Sequence, residues 1–364
     1  MLMYLLVFFI LSIFSLREAS GNYRFSNKEY QIVSIFLILF MGFRENTGCD
    51  WDTYKQLFLN IMIPKDSSHK LIINQLMSSH RDLGFGFLNT LISHFGGSFS
   101  LVIFITTLLF IFPLLMFCKS LPRPFLAINI AFPYFITVVG MGFIRQGIAI
   151  SFLMLSIIKL EQSRKFVSLS YATLAALFHK YAFLFLLPGS LVSGTTVSKR
   201  KSNVLFKVSI FFLVLSLIYF LNGEYIYNQV NNYINYGLYT QNTNDQSAKS
   251  VFFILALNTA SALVYLFKFK EIKSTSYSRK LWITISLMSL ACFPLLLIIG
   301  STATYRLSLY FLPLQIYVGA NIPNINIYSF SEKLLVSLLI LISFFMFTSW
   351  LLFATHSNCW LPYQ

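Results

Sequence analysis

The sequence predicts an all-α, polytopic integral membrane protein with about twelve transmembrane helices, drawn from apolar runs separated by short groups of charge. Hydrophobic residues make up 57% of the 364-residue chain, with 40 Phe and 20 Tyr, more apolar surface than one soluble core of this size can bury. Charged residues are only 11% of the chain, and they fall in short groups between the apolar runs. The 27 Lys and Arg against 12 Asp and Glu therefore read as a topology signal and exclude a nucleic-acid surface.

Met1 to Leu16 is apolar and lacks the basic start of a signal peptide, although Ala19-Ser20-Gly21 resembles a cleavage site; it is read as a first span. Arg17, Arg24 and Lys28 precede a second run from Ile32 to Phe43. A long extracytoplasmic loop, residues 44–83, follows. Its first part, within GFRENTGCDWDTYKQLF, gathers Arg44, Glu45, Asp50, Asp52 and Lys55. Asn46-Thr47-Gly48 favours a turn, which sets Asp50 and Tyr54 at the start of a short helix with Asp50 near its N-terminus. Pro64 and a Lys/Asp/Ser/His stretch cannot span lipid. Gly84 to Phe95 is apolar but too short to cross, so a re-entrant or interfacial helix is expected.

Leu101 to Cys118 crosses and is closed by Lys119 and Arg123. Phe125 to Phe143, interrupted by Pro133, crosses back, and Ile148 to Leu160 returns to the basic group Lys159, Arg164, Lys165. That group and Lys199 to Lys201 should share a side, so Val167 to Pro188 reads as two short helices meeting near His179-Lys180. Val204 to Leu221 leads to a medium extracytoplasmic loop, residues 222–249, whose Tyr rings and Asn amides suit sugar faces and hydroxyls. Val251 to Phe267, Leu281 to Ile299, Leu307 to Ala320 and Leu334 to Phe353 complete the spans. No soluble domain is left over: residues 1–364 read as one membrane domain with both termini outside the cytoplasm. About two-thirds of the basic residues then lie on the cytoplasmic side, as the positive-inside rule requires.

The four Cys (Cys49, Cys118, Cys292, Cys359) have no metal-ligand spacing, and two lie in apolar runs. Pairing of Cys49 with Cys359 needs an oxidising compartment and is not expected. Neither a carboxylate cluster nor a spaced His pair suggests a metal or any other cofactor.

Candidate chemistry sits on the non-cytoplasmic side. Arg44, Arg145, Lys180 and Arg306 end apolar runs there, and a cation drawn to the bilayer centre costs roughly 2.5–3.5 kcal/mol. They are expected to face water or an anion; snorkelling to a headgroup is the plainer alternative. Arg145 has Gln146 as its only polar neighbour in VVGMGFIRQGIAISF, and Arg306 follows Tyr305 in STATYRLSLYF. A guanidinium suits a diphosphate because its planar fork donates two parallel hydrogen bonds. Asp50, Asp82 and His179 share that side as acid, base or hydroxyl anchors, against the plainer readings of an Arg81–Asp82 ion pair and an interfacial histidine.

In order, R-x3-G-x-D-x3-Y (Arg44, Gly48, Asp50, Tyr54), Asp82-Leu83-Gly84-Phe85, F-I-R-Q-G-I-A (Phe143 to Ala149), L-F-H-K-Y-A (Leu177 to Ala182) and Tyr305-Arg306 resemble the EpsG-like, Wzy-type polysaccharide polymerases of bacterial envelopes. The similarity runs from Tyr4 to about Val318, and the R-Q and F-H motifs are its most specific pieces. Asp82 stands where the family pattern leads us to expect Glu. The resemblance implies a glycosyltransferase-type O-antigen or exopolysaccharide polymerase, multi-pass in the bacterial inner membrane, joining undecaprenyl-diphosphate-linked oligosaccharide repeat units at its outer face. It gives Arg145 and Arg306 the leaving diphosphate, Arg44 a supporting role, and Asp50 or His179 the acceptor hydroxyl. Tyr54, Asp82, Gln146, Lys180 and Tyr305 complete the substrate-binding set. Membrane lipid, a flippase and a chain-length regulator are the partners it implies, with no nucleic acid. Two alternatives stand beside it: a membrane glycosyltransferase using a lipid-phosphate sugar, and a polysaccharide flippase or transporter. The latter calls for mid-membrane charge and repeated halves, which the sequence does not clearly carry.

Overall fold

A computed structural model describes residues 1–20, 25–61, 82–185, 246–272, 275–299, 301–325 and 330–363, and these are helices and connecting turns with no strand among them. The chain divides into two compact units, Met1–Leu184 with Ile316–Gln364, and Phe185–Gln315.

The first unit contains α1 (Leu2–Glu18), α2 (Asn27–Gly42), α3 (Trp51–Leu59), α4 (Leu83–His94), α5 (Phe99–Lys119), α6 (Pro124–Ala131), α7 (Ile144–Glu161) and α8 (Lys165–Phe178). Local chemistry sets several of these boundaries. Ser26 and Ser98 accept hydrogen bonds from Glu29 N and Leu101 N and cap α2 and α5, satisfying donors that a helix start leaves open. Pro124 opens α6, where its missing N–H is no loss. From Phe132 to Gly140 the helix widens to π geometry, with Pro133 in its first turn, where the ring can neither donate to nor fit the preceding turn. The Thr137 hydroxyl donates to Phe132 O at 2.9 Å, five residues back.

Between α1, the α6–π segment and the last long helix, the core is aromatic. Phe8 packs against Phe132, Phe344 and Phe347, with ring centroids 5.8–6.5 Å apart. The outer faces are apolar too, with Leu6, Phe9 and Ile13 exposed on α1 and Ile32, Ile35 and Leu39 on α2. Helices greasy on both faces belong in lipid. Three of those described are by themselves long and apolar enough to cross a membrane, Phe99–Lys119, Val251–Lys268 and Glu332–Phe353; Pro124–Gly140 and Lys165–Phe178 are apolar but shorter.

One end of this unit is tied by charge. The Glu18 carboxylate accepts from Phe125 N at 3.3 Å and Leu126 N at 3.0 Å, and Arg123 donates to Glu18 O at 3.3 Å and ion-pairs with Glu332. The opposite end gathers the start of α1, the end of α2 and residues 355–363. There Tyr4 OH donates to Trp360 O at 3.2 Å, and Tyr363 stacks on Phe40 at 4.8 Å.

The second unit holds α9 (Gln246–Lys268), α10 (Ser276–Ile299) and α11 (Ser301–Ser308), followed by a 3-10 turn at Leu309–Phe311 and the first residues of α12 (Leu312–Asn321). Asn258 joins them, donating to Ser308 O at 2.8 Å and accepting from Gln315 Nε2 at 2.6 Å. Within α12, from Ile316, the chain re-enters the first unit and continues to α13 (Glu332–Phe353) and a 3-10 segment, Thr355–Trp360.

Several sequence expectations change. The span expected from Leu307 to Ala320 is interrupted by the 3-10 turn Leu309–Phe311, just before Pro313, whose missing N–H cannot bond Leu309 O in an α-helical ladder. Residues 246–249, assigned to the medium loop, are the first turn of α9, since no helix breaker separates Gln246 to Lys249 from the apolar run. The rest of that loop, and Val204 to Leu221, lie outside the described residues. Cys49 and Cys359 do pair, with their Cα atoms 4.9 Å apart. Their 310-residue separation hides what the bundle accomplishes by returning the end of α13 to the end of α2.

Candidate functional site

Tyr54 is positioned by a turn and a short helix. Gly48 holds φ +107°, a left-handed conformation that glycine tolerates and other residues rarely adopt. A Cβ added there would lie 2.8 Å from Met141 O. Trp51 N donates to Gly48 O and Tyr54 N to Asp50 O, so Asp50 stands at the N-cap of α3 and Tyr54 one turn in. Trp51 and Phe58 fix α3 through Phe99 at the start of α5, with centroids 5.2 and 6.1 Å apart.

Two other segments meet Tyr54, and a third joins them through Asp82. Phe85 of α4 lies edge-on to its ring at 5.2 Å, and the Arg145 guanidinium of α7 stands 5.8 Å from the ring centroid, within the range of a cation–π contact. Asp82, the N-cap residue of α4, accepts from Arg145 Nη1 at 2.9 Å through Oδ2 and from Lys180 N at 3.1 Å through Oδ1. His179 makes the second bond possible. It ends α8 in an extended conformation, φ −155° and ψ 111°, which turns the next N–H out of the helical ladder. His179 is buried beside Tyr181, 5.3 Å between centroids. Gln146 is buried next to Arg145.

Side-chain exposure is 27% at Arg145 and 8% at Asp82, so the pair sits at the edge of the interior, where Coulomb attraction is stronger than in water. Burial pushes the Asp82 carboxyl above its ordinary value, opposed by Arg145 and by the Lys180 N–H. Tyr54 is likewise raised by burial, with Arg145 opposing. The Asp50 carboxylate acts electrostatically on both Tyr54 and Arg145.

The remaining candidates are placed differently. Arg44, expected to face water or an anion, is 2% exposed. Its fork is taken up by Met41 O, by Thr107 Oγ1 at 3.2 Å and by Met141 O at 3.4 Å, because the carbonyls at the end of α2 and before α7 lack helical partners there. It ties backbone together. Asp82 pairs across the fold with Arg145; its neighbour Arg81 lies outside the described residues. Arg145 belongs to the first turn of α7, which starts at Ile144, four residues before the expected span. Tyr305 and Arg306 are half-buried on α11 of the second unit. The sequence motifs include Phe85 but give it no contact, Thr107 and Trp360 are in none of them, and a shared oxidising compartment is the condition on which Cys49 and Cys359 could pair. Among the described residues no group of three or more His, Cys, Asp or Glu could hold a metal ion.

The pH dependence of this pair has a definite sign. A raised carboxyl takes up its proton at a higher pH in the folded chain than in the unfolded one, so acidification through that window favours folding while releasing Arg145. The activity that depends on the pair should fall on the acid side, above the ordinary aspartate value of 3.8, without loss of thermal stability. Asp82→Asn should remove that acid limb. An unchanged acid limb in the asparagine variant would assign it to another group.

The molecule is a helical membrane protein with an arginine–carboxylate–tyrosine cluster at one end of an apolar bundle. Residues 28–364 match the EpsG family, and the chain belongs to it; it is a membrane protein of the polysaccharide-polymerase type. No curated protein and no solved structure matches the chain.

Proposed function

We propose that the protein joins undecaprenyl-diphosphate-linked oligosaccharide repeat units into O-antigen or exopolysaccharide at the outer face of the bacterial inner membrane. The observation that carries this reading is Arg145, held between Asp82 and the Tyr54 ring at the bundle end that also bears the Cys49–Cys359 bond. A disulfide persists in an oxidising compartment, which favours the extracytoplasmic side for that end.

In the proposed reaction a sugar hydroxyl of the incoming unit attacks the anomeric carbon of the growing chain. The bond from that carbon to the diphosphate oxygen breaks, and its electron pair leaves with the diphosphate. Arg145 stabilises the charge that develops there, a role a fixed guanidinium performs without reorganisation. Asp82 takes Nη1 of the fork and fixes its plane. The hydroxyl proton passes to Asp50 or His179. Arg44 is withdrawn from substrate contact and keeps the bundle end in shape. A flippase that delivers the lipid-linked unit and a chain-length regulator are the partners this reaction needs.

A deletion strain tests the reading against a transporter. Without the polymerase, export continues, so the surface glycolipid should run on a gel as a single one-repeat band with no ladder. Loss of that band as well would favour a flippase, and an unchanged ladder would remove the chain from polymer synthesis.

A further inference from the structure

The segment after α13 touches both halves of the arginine site. Ala354 leaves the helix in an extended conformation, and Thr355–Trp360 turns back over the bundle end. On one side Cys359 is bonded to Cys49 and its carbonyl accepts from Gly48 N at 2.7 Å. Cys49 directly precedes Asp50 and lies five positions before Tyr54. On the other side Trp360 Nε1 donates to Thr137 O at 2.9 Å, a carbonyl near the end of the π-helix. Its ring lies over Gly142, where an added Cβ would come within 2.5 Å of the indole, three positions before Arg145. Tyr4 OH on Trp360 O and the Trp350 ring at 5.2 Å hold the indole in place.

We infer that Cys49, Cys359 and Trp360 form a strap that sets the Asp50–Tyr54 turn of α3 against Arg145, and so act as positioning residues for the polymerisation proposed above, on which that role rests. Trp51 and Phe58 on Phe99, and Tyr54 on Phe85 and Arg145, locate α3 through its own side chains, and the strap adds a covalent tie at the turn that precedes it. The disulfide fixes the end that carries Asp50, and the indole locks the same tail to the backbone that carries Arg145. Closing the strap removes two protons and two electrons from the Cys49 and Cys359 thiols, taken by thiol–disulfide exchange onto an oxidised dithiol oxidoreductase of the envelope.

The test uses the purified full-length protein in liposomes, oxidised and after reduction with a phosphine, read by amide hydrogen exchange and by polymerisation of a lipid-linked repeat unit. Reduction should speed exchange several-fold over residues 51–58 while leaving α5 and α7 unchanged. Turnover should fall by up to about a hundredfold, the effect of a misplaced reacting group, with KM unchanged, and return on reoxidation. The Cys49→Ser/Cys359→Ser double variant should start in the loosened state and ignore the reductant, which separates the pair from free Cys118 and Cys292. Trp360→Ala, with the disulfide intact, should loosen the same residues.

Exchange over 51–58 that ignores reduction would overturn the strap whatever the activity shows. Faster exchange throughout the molecule would make the bond a general staple and overturn positioning, as would local loosening with undiminished turnover. Absence of polymerisation in the oxidised protein would overturn the function reading, and exchange would still decide the strap.

Discussion

Arg145→Ala is expected to abolish the long-chain ladder and leave the one-repeat glycolipid, at normal protein abundance. Removing a preorganised donor from developing negative charge costs about 10²–10³-fold in turnover, enough to erase polymer in a cell. The fold should survive, because the group left behind is Asp82. Burial already pushes that carboxyl toward its neutral form, so without Arg145 it can take a proton instead of remaining an unpaired charge. Arg145→Lys distinguishes a cation from a fork. Lysine keeps the charge but cannot bind Asp82 with one nitrogen and a phosphate oxygen with a second in the same plane. It should lose most polymer as well; a full ladder from the lysine variant would reduce Arg145 to topology.

The converse substitution should behave differently. Asp82→Ala leaves a guanidinium that stays charged at any accessible pH, beside a tyrosine ring and in a site where only 27% of its side chain meets solvent. Breaking a fully buried pair this way costs about 3–5 kcal/mol, and partial exposure reduces this to about 1–3 kcal/mol through solvent screening. Asp82→Ala should therefore melt at lower temperature than Arg145→Ala. The double variant should recover part of the difference, because it no longer contains the stranded charge. Thermal melts of the four detergent-solubilised proteins close the cycle. Single-variant losses that simply add in the double variant would mean that the two side chains do not depend on each other.

Local chemistry was enough to foresee a good deal of this bundle. The Asn46-Thr47-Gly48 turn follows from glycine's backbone freedom, and the short helix begins behind Asp50 as expected, although the Asp50 side chain makes no capping hydrogen bond. The 12-residue α4 follows from an apolar run too short to cross, and the break in the Phe125 to Phe143 run from Pro133. Composition and the placement of charge gave the membrane class. Five short motifs in order gave the family, because each is a contiguous string whose identity survives without its neighbours in space.

What those strings do to one another was decided by tertiary structure alone. Arg44 and Arg145 look alike in sequence, each a cation at the outer end of an apolar run. One is absorbed by carbonyls at helix ends, and the other meets a carboxylate 63 positions away. Which carbonyl or carboxylate lies within hydrogen-bonding reach of a guanidinium depends on how α2, α4, α5, α7 and α8 close on each other. The same holds for Lys180 N on Asp82, 98 positions apart, and for Cys49 with Cys359. Turn propensity, capping and apolar runs are properties of neighbouring residues and can be read from the string. Pairing across the bundle is set by packing and chain closure, and the order of residues along one segment carries no record of the segment it will meet.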